Sequence, residues 1–193
     1  MKNSKNVALF YPWFHLYGGG ELFAEYTANK LSEKYTIDLY FYKKKNKIHP
    51  KINLSKKIKL ISIKSKNPLI DYLCSHVMLF AQTYLIFFFN SRINKHYRFA
   101  YSLGGEFFSN IKTYQYLHIC IYSLNIFEYK NFGISNLFKK ILRFLVVLIC
   151  RIYLGINRKK FFNVTTFSNS FWSLKQAKKT YELKKHKVFY PCF

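Results

Sequence analysis

Three groups of residues in this 193-residue chain have the types and spacing to do chemistry. Gly18-Gly19-Gly20 follows an apolar run and opens a helical pattern at Glu21. A helix N-terminus presents unpaired N–H groups and partial positive charge, and glycine lets a phosphate approach the backbone. The spacing is neither G-x-G-x-x-G nor a P-loop. A phosphate or sugar contact and a structural turn needing positive φ therefore both stay open. His118 lies near the end of the strand-like run YQYLHICI. Ligands of open α/β sheets bind beyond the carboxyl ends of strands, so His118 is either a ligand-facing imidazole or a satisfied core histidine. Gly104-Gly105-Glu106 also ends a strand-like run. Glu106 either reaches the same crevice or is a solvated loop acid.

Other chemistries find little support. Asp38 and Asp71 are the only aspartates, so no Asp-x-Asp site for Mg²⁺ or Mn²⁺ is present. Glu21 and Glu25 share a helix face, which reads as a solvent edge, and there is no G-x-S-x-G elbow. Cys74, Cys120, Cys150 and Cys192 form no C-x-x-C pair. They fit reduced thiols better than a zinc site or a disulfide framework.

Strand and helix patterns alternate along the chain. Strands are expected at residues 7–11, 36–42, 58–63, 99–103, 114–121, 164–167 and 187–190. Helices are expected at 21–34, 69–90, 134–156 and 171–181, with Ser168-Asn169-Ser170 capping the last. This order predicts one α/β domain, a Rossmann-like, doubly wound and mostly parallel sheet. The apolar run behind Met1 reads as the first strand rather than a secretion signal, because no small-residue cleavage site follows it.

Lysine and arginine number 32 against 8 acids, a net charge of +24. That predicts an anionic partner: nucleic acid, acidic lipid or a phosphorylated substrate. With 27 lysines, 5 arginines and 15 asparagines, a biased coding composition also contributes. Residues 72–91 lack formal charge and are long enough to span a membrane, but their polar residues and position predict a buried or half-buried helix. In 137–156, Lys139, Lys140, Arg143 and Arg151 interleave with bulky apolar residues. Such a helix either lies on an anionic membrane surface or is an ordinary crossover helix with a basic edge.

Four ordered blocks resemble the N-terminal half of a GT-B glycosyltransferase of glycosyltransferase family 4. They are the opening strand with Gly18-Gly19-Gly20-Glu21, Tyr116-Leu117-His118, Ser168-Asn169-Ser170-Phe171-Trp172-Ser173, and Lys187-Val188-Phe189-Tyr190-Pro191. The glycine, Asn-Ser and Tyr-Pro-Cys blocks are especially similar to the dolichol-linked oligosaccharide α-1,2-mannosyltransferase branch. The chain departs from the family pattern in Leu22, where arginine is usual, and in Ile119-Cys120, where proline is usual.

The resemblance implies retaining, metal-independent transfer of a sugar from a nucleotide-sugar to a lipid-linked glycan acceptor, with no further cofactor. It implies that Gly18, Gly19 and Gly20 approach the donor and that His118 contacts the transferred sugar. Glu21, Glu106, Asn169 and Ser170 are then acceptor-side candidates. Residues 1–193 would form the acceptor-side half, with the donor-binding half supplied in trans and no turnover without it. Docking on the cytoplasmic face of an anionic membrane would follow. Two alternatives stand beside this reading: a noncatalytic half or remnant that needs a partner chain, and a basic nucleic-acid-binding protein. The second lacks any helix-turn-helix, finger or RNP-like strand.

Overall fold

The computed structural model describes residues 5–42, 48–92, 97–124 and 134–190. Seven strands are present: β1 (Asn6–Phe10), β2 (Thr36–Tyr42), β3 (Ile58–Ile63), β4 (Phe99–Ser102), β5 (Thr113–Leu117), β6 (Thr165–Ser168) and β7 (Lys185–Val188). The helices are α1 (Gly19–Ser32), α2 (Pro68–His76), α3 (Met78–Arg92), α4 (Ile134–Leu154) and α5 (Phe171–Thr180). All strands run parallel in the order β3-β2-β1-β4-β5-β6-β7. The order reverses between β1 and β4, which makes their carboxyl ends the topological switch point, where ligands of open α/β sheets bind.

The continuous apolar pattern of β1 arises because the sheet is packed on both faces there. Val7 and Leu9 of β1 pack on one face with Phe23, Ala24 and Ala28 of α1. Ala8 and Phe10 pack on the other with Leu85, Ile86 and Phe89 of α3. Phe10 stacks between Phe107 and Tyr40, at centroid distances of 4.1 and 5.2 Å. Cys74, Cys120 and Cys150 are buried free thiols.

The helix expected at 69–90 is two helices. Asn67 caps α2 through the Leu69 and Ile70 N–H groups, Pro68 occupies the first turn, and Val77 is extended at φ −124 and ψ 110. Trp13 Nε1 donates to the Cys74 carbonyl at 3.1 Å, the group that residue 78 would use in a continuous helix. In α3, Gln82 is fully buried and its Nε2 donates to the Glu106 carbonyl at 2.8 Å. Among the described residues, no helix is long and apolar enough to cross a membrane.

Strand β5 also stops before the sequence pattern does, at Leu117, and Glu106 supplies the reason. Glu106 is neither a solvated loop acid nor a crevice residue, because it is fully buried. Its carboxylate accepts the N–H groups of Ile121 at 3.1 Å and Tyr122 at 3.2 Å, and the Tyr181 hydroxyl at 3.2 Å. These bonds turn the chain after His118 and tie the loop to the end of α5. Burial is the main influence on this carboxyl and pushes its pKa up to about 7, against the opposing pull of its donors.

A carboxyl that holds its proton longer folded than unfolded makes stability fall as pH rises, here between the unfolded value of 4.5 and about 7. The slope from Glu106 should reach about 1.4 kcal/mol per pH unit within that window. Urea unfolding of wild type and Glu106→Gln at pH 5, 6, 7 and 8 measures it. The variant should lose that part of the slope, and an unchanged slope would assign the pH dependence to other groups.

Candidate functional site

The first component of the site is the loop from β1 to α1. Tyr11 N–H continues the β1–β2 ladder by donating to the Tyr40 carbonyl at 3.1 Å. Gly18 is the N-cap of α1, extended at φ −163 and ψ −170, with no side-chain cap. The positive-φ glycines among those described are Gly105 and Gly155, so the turn explanation for the 18–20 triplet is corrected. Gly20 is required for close approach instead. A Cβ there would lie 2.7 Å from Tyr11 Oη and 3.8 Å from His118 Nε2. Gly104 acts likewise at the end of β4, where a Cβ would fall 2.9 Å from both Tyr11 and Pro12. A Cβ on Gly19 would meet nothing within 4 Å, so the space over the first turn of α1 is open.

Tyr11 is a site residue that the sequence reading missed, and its position directly after the apolar run was the available signal. Its hydroxyl donates to Glu21 Oε1 at 3.0 Å. Burial, reinforced by the nearby Glu21 charge, keeps the phenol protonated well above its usual range. Glu21 therefore does not belong to a plain solvent edge. It is half-buried and holds Tyr11 against Gly20.

The second component is His118, placed just beyond β5 rather than inside the strand. Its ring meets Tyr116 edge-on at 5.0 Å and Phe23 at 5.9 Å, and those two rings stack at 4.1 Å. His118 Nε2 is buried and has no hydrogen-bond partner among the described residues. Burial lowers the imidazole pKa, opposed by a hydrogen bond to the Leu103 backbone and by Glu21. With Nε2 unpartnered, the Leu103 bond belongs to Nδ1. In the neutral ring the proton then sits on Nδ1, and Nε2 carries the lone pair, beside Gly20.

The third component, the start of α5, fixes the His118 backbone. Ser170 caps the helix by accepting Ser173 N–H at 3.1 Å. Ser173, also missed in the sequence, lies within hydrogen-bond reach of the His118 carbonyl at 2.7 Å and of Asn169 Oδ1 at 2.8 Å. Asn169 N–H donates to the Leu117 carbonyl at 3.2 Å. Asn169 and Ser170 thus position the loop that carries His118.

The sequence candidates divide accordingly. Gly18, Gly19, Gly20, Glu21 and His118 converge with Tyr11, Asn169 and Ser170 lie behind them, and Glu106 is underneath as a structural acid. Of the basic set on α4, Arg151 leaves the proposed membrane surface. It is half-buried, donates to the Tyr122 carbonyl at 3.0 Å and stacks over Tyr181. Lys140 is half-buried and Arg143 exposed, while the Lys139 side chain lies outside the described residues. No group of three or more His, Cys, Asp or Glu that could hold a metal occurs among the described residues.

No family model matches the chain, and no curated protein matches it. Among solved structures it is similar to Anabaena Alr3699/HepE, crystallised in complex with UDP-glucose, at 13% identity and a TM-score of 0.45. The alignment covers 97% of this chain and 44% of that one, so this chain spans less than half of that protein.

Gly20→Ala should destabilise the protein by about 1–3 kcal/mol, the usual cost of forced overpacking. Removing the clashing hydroxyl leaves only contacts at 3.8 Å. The Tyr11→Phe/Gly20→Ala double variant should therefore recover most of the loss. Chemical denaturation across the double-mutant cycle checks this, and strictly additive losses would mean that the two residues do not compete for space.

Proposed function

We propose that this chain is the acceptor-side half of a glycosyltransferase that moves a sugar from a nucleotide-sugar to a lipid-linked glycan. The observation that carries the reading is the buried, unpartnered Nε2 of His118 beside Gly20, at the uncapped N-terminus of α1. The four ordered sequence blocks supply the family expectation, and three of them, the β1–α1 loop, the end of β5 and the start of α5, meet around His118.

In this reading, the free N–H groups and partial positive charge at the start of α1 face the donor diphosphate. They supply fixed stabilisation as negative charge builds on the leaving group, without a metal. His118 Nε2 accepts a hydrogen bond from a hydroxyl of the transferred sugar and orients it. A neutral imidazole suits that role because it adds no cation beside a developing oxocarbenium. Phe23 and Tyr116 hold the ring edge-on, and Ser173 holds its backbone. Acceptor attack on the face the leaving group occupied retains the anomeric configuration.

This unit provides one wall of the site. Leu16, Ile119, Phe171 and Trp172, all exposed, follow the carboxyl ends of its strands. That apolar rim suits a second α/β body that binds the nucleotide. Purified chain with UDP- or GDP-sugars and a polyprenyl-linked acceptor should show no turnover alone, and should turn over when a donor-binding half is supplied. In that complex His118→Ala should lower kcat by about 10²–10³ at an unchanged melting temperature. Transfer by the chain alone would overturn the two-body reading, and full activity of His118→Ala would overturn the role given to His118.

The reading places the protein peripherally on the cytoplasmic face of an anionic membrane. Ile141, Leu142, Leu145, Ile149 and Ile152 form an exposed apolar stripe on α4, with Lys140 and Arg143 on the same helix. Apolar insertion and attraction to anionic headgroups would act together there. The protein should float with phosphatidylglycerol-containing vesicles and not with pure phosphatidylcholine. Leu145→Glu/Ile149→Glu should abolish flotation, and vesicle binding that survives this change would remove α4 from the contact.

A further inference from the structure

One half of the sheet has a bare face. On the side covered by α1, the helix packs over β2 and β3. Helix α5 packs on the opposite side of β6 and β7, where Ala177 meets Leu117. On the α1 side, that helix reaches this half of the sheet at Leu103 and Tyr116, where Phe23 stacks on Tyr116 at 4.1 Å, and no described helix lies over Phe99, Tyr101, Tyr114 and Phe167. The strands there present Phe99, Tyr101, Tyr114 and Phe167, which with Leu31, Tyr35 and Phe189 line a groove of about 380 Å³. The rings form one continuous layer. Phe99 lies 5.3 Å from Tyr114, and Tyr101 and Tyr114 lie 6.5 and 6.4 Å from Phe167. An all-parallel sheet is stable with both faces covered, and crossover helices ordinarily do this. Here the sequence has invested large aromatics in a face that the described chain leaves open.

The rim of the groove is cationic. Lys112 sits over the Tyr114 ring at 5.2 Å and Arg98 over the Tyr35 ring at 5.8 Å. Lys185 and Lys187 are exposed and pair in register with Thr165 and Phe167, on the groove side. Strands β4, β5, β6 and β7 contain no acid. We propose that this face docks an amphipathic helix of a partner polypeptide, its apolar stripe on the aromatic layer and its acidic flanks against Lys112, Lys185 and Lys187. Strands of four or five residues span about 13–17 Å, so a helix of about ten residues covers them. A second copy of this chain does not fit, because its own apolar helix face, on α4, carries Lys140 and Arg143 and the chain is +24 overall. The proposal does not rest on the sugar-transfer reading, since the groove is on the sheet face and the crevice at the strand ends.

The test places a photocrosslinker in the groove by Phe167→p-benzoylphenylalanine in the native host, with Leu60→p-benzoylphenylalanine on β3 as an exposed control. The crosslinked segment is sequenced, synthesised and titrated against the purified chain. The expected result is a peptide adduct, absent from the control, with apolar residues at i, i+3, i+4 and i+7 and acids flanking them. Its affinity should fall at least tenfold on Lys112→Glu/Lys187→Glu, two exposed changes that leave the melting temperature in place, and should be retained on Tyr114→Phe. A lipid or RNA adduct, an adduct to a second copy of the chain, a segment without acids, an affinity indifferent to charge reversal, or no adduct above the control would each overturn the proposal.

Discussion

The carboxylate of Glu106 is the point through which β4, β5 and α5 are joined, and the geometry of the crevice depends on it. It lies fully buried and accepts from Ile121, Tyr122 and Tyr181. A buried acid costs free energy unless its lone pairs are filled, so the loop after β5 must curl back to supply donors. That turn ends the ladder at Leu117 and lifts His118 out of the sheet. In the same loop the Tyr122 carbonyl accepts from Arg151 of α4, which carries the constraint into the helical layer.

Close approach is the second constraint. The ends of β1 and β4 meet so tightly that a side chain at Gly104 would strike Tyr11 and Pro12, and one at Gly20 would strike the Tyr11 hydroxyl. Tyr11 is pressed between them and bonded to Glu21. The strand ends are therefore closely packed, with His118 Nε2 buried beside Gly20 in the first turn of α1. A buried polar atom left without a partner costs stability, and His118 Nε2 carries that cost beside Gly20.

Charge and apolar surface are unevenly related in this molecule. The lysines are spread over most elements, which fits a partly compositional origin. Exposed apolar residues are concentrated on α4 and on the rim of the strand ends, and half-buried rings line the open half of the sheet. Concentration of that kind marks contact surfaces more reliably than net charge does.

Period and punctuation in the sequence determined the element types and the α/β class. The apolar run at 7–11, broken by the glycines that follow, marked a strand buried on both faces, and β2 (Thr36–Tyr42) and β3 (Ile58–Ile63) were legible to the residue. The Gly18–Gly20 loop, His118 and the Ser170 cap were legible as positions, because glycine, a lone strand-end histidine and a cap serine each have few local uses. What those residues touch was not legible. The break at Val77 depends on Trp13, 61 residues away from its partner Cys74. The early end of β5 depends on Glu106, the need for Gly20 on the Tyr11 hydroxyl, and the inward turn of Arg151 on Tyr122. Each is a contact between segments distant in sequence. Local pattern carries no information about such contacts, and the sheet order that brings the segments together exists only once the chain has folded.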